Sequence, residues 1–230
     1  MNADEARLKL DPFVYKYNGR PKLSKVAFRR GKAYATNGSI AVVADVSDGG
    51  CPDEEAEFPY DNVDGFFSNA VKPSKWYAID AGQFKAHVDE LLTRANKERA
   101  EQEYDWRGRY KEVSCPCCGE DIWWDTWSDE LVTEKEKYTP VEYDSIDMSA
   151  ELSFGGTMTT VVKFGYLFKL FKQLGRDIGE GVLFSLSTLD GNPMVMAKTE
   201  DGSIRAILCV CKVCGDGFKP DAKLDANEVG

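Results

Sequence analysis

Residues 162–175 read VKFGYLFKLFKQLG, and three apolar runs follow at 182–189 (VLFSLSTL), 193–198 (PMVMAK) and 204–210 (IRAILCV). Phe164, Leu167, Phe168, Phe171 and Leu174 recur at three- and four-residue steps, which line one side of a helix, and Gly175 supplies a C-cap. The three runs have strand length and are separated by Asp190-Gly191-Asn192 and Asp201-Gly202, both turn signals. One helix followed by a three-stranded meander is therefore predicted.

Residues 23–46 carry a similar meander. Val26 and Phe28 precede Arg30-Gly31, Tyr34 and Ala35 follow it, and the β-branched run 40–46 comes after Thr36-Asn37-Gly38-Ser39, a tight-turn sequence. No helix is evident ahead of it, because Pro12 interrupts residues 8–17 and no helical stripe crosses it. Asp80 and Gln83 occupy the N-cap and N3 positions of a capping box, and Phe84, Val88, Leu91, Leu92 and Ala95 follow at helical spacing, predicting a helix from Asp80 to about Glu103. Residues 141–154 read as one or two strands ended by Gly155-Gly156. Residues 47–59 read as an acidic loop and 215–230 as a polar tail. Helices set apart from antiparallel hairpins indicate an α+β protein. The two helix-plus-strand units have the layout of a degenerate duplication, 1–103 and 141–214, flanking an insertion at 104–140.

That insertion holds four of the five tryptophans and the first of two Cys-x-x-Cys-Gly knuckles, Cys115 to Gly119; the second is Cys211 to Gly215. A knuckle turns two thiolates to one side, and two knuckles complete the tetrahedral sulfur set of structural zinc. Cys115, Cys118, Cys211 and Cys214 are the candidate ligands of one Zn(2+), which would staple the insertion to the end of the last meander strand. Free buried thiols or two separate sites are the alternatives, and Cys117 and Cys209 are spare thiols that could substitute. Catalytic zinc prefers an open position and often His, whereas the one histidine, His87, falls inside the first predicted helix. A redox reading of Cys115 to Cys118 needs a helix N-terminus after the motif, and 121–127 reads as extended.

The chain has 230 residues, 43% of them hydrophobic, enough for a full core. No apolar run reaches the ~18 residues that span a bilayer, and the charged first residues lack a signal-peptide pattern. A cytoplasmic protein without a membrane partner is expected. Seven cysteines in a reducing compartment favour metal over disulfides. A net charge of -10 excludes a protein that coats nucleic acid with its whole surface, though not a local basic face.

Tyr34-Ala35-Thr36-Asn37-Gly38-Ser39-Ile40-Ala41 resembles the Ala-Thr-Asp-Gly-His-Arg-Leu-Ala turn of the bacterial DNA sliding clamp, the β subunit of the replicative polymerase. Lys163-Phe164-Gly165-Tyr166-Leu167, the helix it opens and the strands to Val210 resemble the last helix and strands of that clamp's third domain. The resemblance covers about half of the chain, in two blocks on either side of the insertion. It implies a DNA-clamp-like fold, and a small clamp-like protein of this kind is expected of a bacteriophage, in a bacterial or phage-infected host cell. The turn's His-Arg is replaced by Ser39-Ile40, and the family's closing Met-Pro by Cys209 to Cys211. The chain has material for about one of the six domains that close a known ring.

The resemblance also implies a processivity-factor-like accessory role in DNA replication or repair. Duplex DNA, a DNA polymerase or other replication proteins would be the partners, self-association is a further expectation, and no catalysis is involved. No phosphate cradle and no nucleophile with its base is recognised, which fits a non-enzyme. Lys169, Lys172 and Arg176 fall on the arc opposite the Phe and Leu stripe and are the first DNA-binding candidates; Lys85 and Arg94 on the earlier helix are the second. A solvated face suits the same cations. Trp123, Trp124 and Trp127 are candidate partner-binding residues; the acidic surroundings favour a protein over unpaired bases, and the bland reading is a small core beside the zinc. The alternative function is a clamp-fold regulator or inhibitor of a host complex that uses this insertion as its contact surface.

Overall fold

The computed structural model describes residues 1–16, 19–47, 57–115, 117–118, 120–135, 138, 140, 142–211 and 219–229. Its elements in chain order are α1 (Ala3–Leu10), β1 (Ala27–Arg29), β2 (Lys32–Thr36), β3 (Ile40–Asp45), α2 (Tyr60–Asn69), β4 (Trp76–Ile79), α3 (Ala81–Arg109), β5 (Tyr110–Ser114), β6 (Asp121–Asp125), β7 (Glu130–Val132), β8 (Ser149–Phe154), β9 (Met158–Lys163), α4 (Phe164–Leu174), β10 (Val182–Leu189), β11 (Asn192–Thr199), β12 (Ile204–Cys209) and β13 (Ala222–Val229). They form two compact units, Met1–Val88 with Asp147–Gly230, and Asp89–Ile146.

The first unit is a mixed α+β body on a ten-stranded sheet, ordered β1-β2-β3-β12-β11-β10-β4-β13-β8-β9. Each neighbouring pair is antiparallel except β13 with β8. Two halves of like plan meet between its third and fourth strands. A helix followed by a three-stranded meander occurs as α1 with β1-β2-β3 and as α4 with β10-β11-β12. Their third strands pair antiparallel, from Ile204 opposite Ala44 to Leu208 opposite Ile40, which sets a local two-fold axis between them. α1 packs on β2 and on α4.

The helix ahead of the first meander is thus present, contrary to expectation. The Asn2 side chain accepts the Glu5 amide at 2.8 Å and so starts α1. Pro12 comes one residue too late to prevent it and opens a 3-10 turn, Asp11–Phe13. α1 buries only Ala6 and Leu10, which is why no stripe betrays it.

α4 begins at Phe164 rather than Val162, since residues up to Lys163 belong to β9. Its Phe stripe is the core of the unit: Phe84 of α3 stacks on Phe164 at 4.7 Å and meets Phe171 at 4.7 Å, and Phe171 meets Phe184 of β10 at 5.5 Å. Gly175 ends α4 for a different reason than expected. Its backbone is extended, and a Cβ there would lie 2.6 Å from the carbonyls of Glu180 and Phe171.

Asp80 caps α3 as its sequence predicts, accepting the Gln83 amide at 2.7 Å. The Gln83 side chain does not close a capping box. It clasps β13 instead, donating to the Asp225 carboxylate at 2.9 Å and accepting the Asp225 amide at 2.7 Å. The expected polar tail is therefore corrected: β13 is an interior strand between β4 and β8, with Ala222, Leu224 and Ala226 buried. α2 and β4 have no counterpart among the elements expected from sequence.

The second unit has the helical residues from Asp89 to Arg109, beyond the expected end at Glu103, and a three-stranded sheet β5-β6-β7. Residues 121–125 are extended as expected. Among the described residues no helix is long and apolar enough to cross a membrane.

Candidate partner-binding site

The turn Thr36-Asn37-Gly38-Ser39 is built by its own side chains. Asn37 accepts the amides of Ser39 and Ile40, each at 3.0 Å, and Thr36 Oγ1 accepts the Gly38 amide at 3.1 Å and donates to the Ile40 carbonyl at 2.8 Å. Gly38 has φ +92°, a conformation that favours glycine. The turn is tied to the other meander by the Cys209 amide, which donates to the Ser39 carbonyl at 2.9 Å.

α2 is fixed beside this turn by polar contacts to β1 and β2. Tyr34 donates to Asp64 at 3.1 Å, Tyr60 donates to the Phe28 carbonyl at 2.9 Å, and Arg29 pairs with Asp61 at 2.9 Å. Burial, and then the Asp64 carboxylate, push the Tyr34 pKa upward, so the phenol keeps its proton. Val71 next donates to the Thr188 carbonyl at 3.0 Å, joining the end of α2 to β10.

Between these pieces lies a cavity of about 360 Å³. It is lined by Ile40 and Ala41 of β3, by Met194 and Ile207 of the other meander, and by Val63 and Phe66 of α2. Thr36, Ser39, Asn62 and Arg20 supply polar groups at the lining. A second cavity of about 520 Å³ shares Leu189, Met194, Ile207 and Cys209 with it and extends to Cys211. Phe66 is 42% exposed, so an apolar surface is presented to solvent at this point. Concave apolar lining with a few placed polar groups is the usual make-up of a binding site. Partial desolvation pushes the pKa of the Cys209 thiol up, although the residue as a whole is exposed at the lining.

The expected DNA-binding cations are largely occupied. Lys169 is 5% exposed, which corrects its placement on an exposed arc: α4 is buried on more than its Phe side. Arg176 is exposed but pairs with Glu180 and Glu200, at 3.5 and 3.6 Å. Lys85 pairs with Asp177 at 3.2 Å, and Arg94 with Glu90 at 2.5 Å. Lys172 is exposed and lies 5.8 Å from the centre of the Phe168 ring.

In the second unit the Arg109 guanidinium meets Asp125, with Nε 2.9 Å from each carboxylate oxygen, and lies over Trp106, Tyr110 and Trp127. Arg109 and the Trp127 amide hold the Asp125 pKa down from 3.8 to about 2. Trp124 donates to Asp129 at 3.0 Å, and Lys135 caps Trp123 at 3.3 Å from its ring centre. Trp127 is 60% exposed.

Of the expected zinc ligands, Cys115 and Cys118 lie in the second unit and Cys211 in the first, while Cys214 lies outside the described residues. The Cys115 amide donates to the Glu120 carbonyl at 2.7 Å, and the amides of Cys117 and Cys118 lower the Cys115 thiol pKa. Among the described residues no group of three or more His, Cys, Asp or Glu surrounds one point.

No protein-family model matches the chain, and no curated protein matches it. Solved structures do. The beta sliding clamp of C. crescentus is 11% identical with TM-score 0.45, over 93% of this chain and 64% of that one. The DNA polymerase sliding clamp of Bacillus subtilis is 10% identical with TM-score 0.40, over 91% and 62%. The DNA polymerase III beta subunit of Thermotoga maritima is 8% identical with TM-score 0.45, over 91% and 63%. The chain spans a little under two thirds of the length of these structures, and at this degree of likeness no residue role passes from them to it.

Sequence reasoning singled out the turn at 36–39 but missed the pocket it borders. Leu23, Val63, Phe66, Met194 and Ile207 come from segments distant in sequence, and no local pattern relates them. The Phe-Phe pair at 66–67 was the one available signal, and Gly65 beside it masked the helix.

Proposed function

We propose that this protein is a DNA-clamp-like accessory protein of replication or repair, which holds a polymerase-type partner through the pocket beside Thr36–Ile40 and carries out no chemistry. One observation supports the reading above others. The two sequence stretches that resemble sliding clamps lie far apart in the chain, yet they converge on one apolar pocket and are joined there by the Cys209–Ser39 backbone bond. The helix-plus-meander plan, present twice, supports it further. DNA contact through Lys172 and Arg176, with Lys85 and Arg94, rests on sequence alone. A phage-type origin is likewise part of the reading.

Zinc belongs to the same proposal. Four thiolates from Cys115, Cys118, Cys211 and Cys214 would hold one ion, and its role would be to order the insertion rather than to catalyse. The Cys117 and Cys118 amides, which favour the Cys115 thiolate, fit half of such a site.

The test is Phe66→Glu in the full chain, with binding to the replicative DNA polymerase of the same organism followed by fluorescence anisotropy. Because Phe66 is 42% exposed, the fold survives and affinity falls by about tenfold or more. Unchanged affinity contradicts the pocket as the docking site.

A further inference from the structure

The register of β5-β6-β7 sorts its side chains onto two faces. Lys111 lies opposite Trp124, Val113 opposite Ile122, and Trp124 opposite Leu131, so Lys111, Val113, Ile122, Trp124 and Leu131 share one face. The other face carries Tyr110, Trp123 and Asp125, which engage Arg109, Lys135 and Trp106. Among the described residues the first face has no such ring or ion-pair cover. Lys111 and Leu131 are exposed, Leu131 to 54%, while Val113, Ile122 and Trp124 are half-buried, and Lys111 lies 5.3 Å from the Trp124 ring centre. An apolar sheet face normally packs on a core or on a partner.

The charge of the unit says what would cover it. Residues 89–146 hold 16 Asp and Glu against 8 Lys and Arg, so they carry -8 of the net -10 of the whole chain. Asp129, beside Trp124, and Glu120 and Glu134 are exposed. A field of this sign draws in cations and repels a phosphate backbone or an acidic protein.

We propose that this face docks a basic amphipathic segment of a partner protein. Apolar side chains of the segment would cover Val113, Ile122, Trp124 and Leu131, and its Lys or Arg groups would meet the surrounding carboxylates. The surface is separate from the pocket beside Thr36–Ile40, so either can fail without the other.

The experiment titrates the full chain, at physiological salt, with three fluorescent 12-residue peptides: alternating Lys and Leu, Lys alone, and alternating Glu and Leu. The Lys/Leu peptide is expected to bind one per chain. Leu131→Ser and Val113→Ser should each weaken it by about tenfold, because less apolar surface leaves water when the peptide docks. The all-Lys peptide should bind at least about tenfold more weakly, and the Glu/Leu peptide not measurably. Equal binding of the all-Lys peptide, or an unchanged affinity in Leu131→Ser, overturns the proposal in favour of charge alone. A dimer by light scattering that Leu131→Ser dissolves overturns it in favour of a second copy.

Discussion

The two units are held together by different means. In the first, Phe84, Phe154, Phe164, Phe171 and Phe184 are fully buried against a sheet covered by helices. In the second, the buried residues among those described are Leu91, Ala95, Asp125 and Ile146. Burial of apolar surface, at about 25 cal/mol per Å², accounts for the first and falls well short for the second. The insertion therefore depends on discrete polar and aromatic devices: the Arg109–Asp125 pair, the rings around it and, as proposed, zinc. Small bodies with little core commonly need such staples.

Metal removal gives the sharpest contrast. A structural zinc contributes on the order of 10 kcal/mol to the folding of its unit. Stripping it with a chelator should expose the amides of β5, β6 and β7 to hydrogen exchange while those of β10 to β12 keep their protection. Elemental analysis should find one zinc per chain beforehand, and a metal-free protein with protected β5–β7 amides breaks the proposal. Next in size is the aromatic core: Phe171→Ala should cost the first unit about 4 kcal/mol in urea unfolding, and Leu10→Ala about 3 kcal/mol. A loss below about 1 kcal/mol at Leu10 would show that α1 does not belong to the core in the way its burial indicates.

Asp125 separates the units by pH. Its pKa is held near 2 in the folded chain against an ordinary 3.8, so its contribution is present above 3.8 and lost as pH falls toward 2. Exchange in the second unit should therefore accelerate across that acid window, and Asp125→Asn, with no charge to titrate, should flatten the dependence. The smallest effect is at the N-terminus, where Asn2→Ala removes the α1 cap and should cost about 1 kcal/mol, seen as a shift in Tm.

The same contrast explains what was legible in the sequence. α4 was visible because five large apolar residues mark one side of it. α1 was not, because its inward residues are Ala6 and Leu10 alone. β13 escaped notice because small residues suffice where it inserts, with Ala222 and Ala226 on either side of Leu224. Lys169 was misplaced because helical spacing reveals the side opposite a stripe and cannot reveal whether that side is buried as well. Of the pocket, the turn at 36–39 was legible from Asn37-Gly38, a local signal. The rest depends on the antiparallel meeting of β3 and β12, a long-range pairing that no local pattern encodes.

The central claim is that the two halves of the first unit build a partner-binding pocket where their third strands meet. The most direct measurement is NMR of the labelled full chain titrated with short apolar peptides cut from the replicative polymerase of the same organism. Shifts confined to Thr36–Ala41, to Val63 and Phe66, and to Met194, Ile207 and Cys209 are the predicted result. Shifts confined to residues 110–132, or none at saturating peptide, would contradict it.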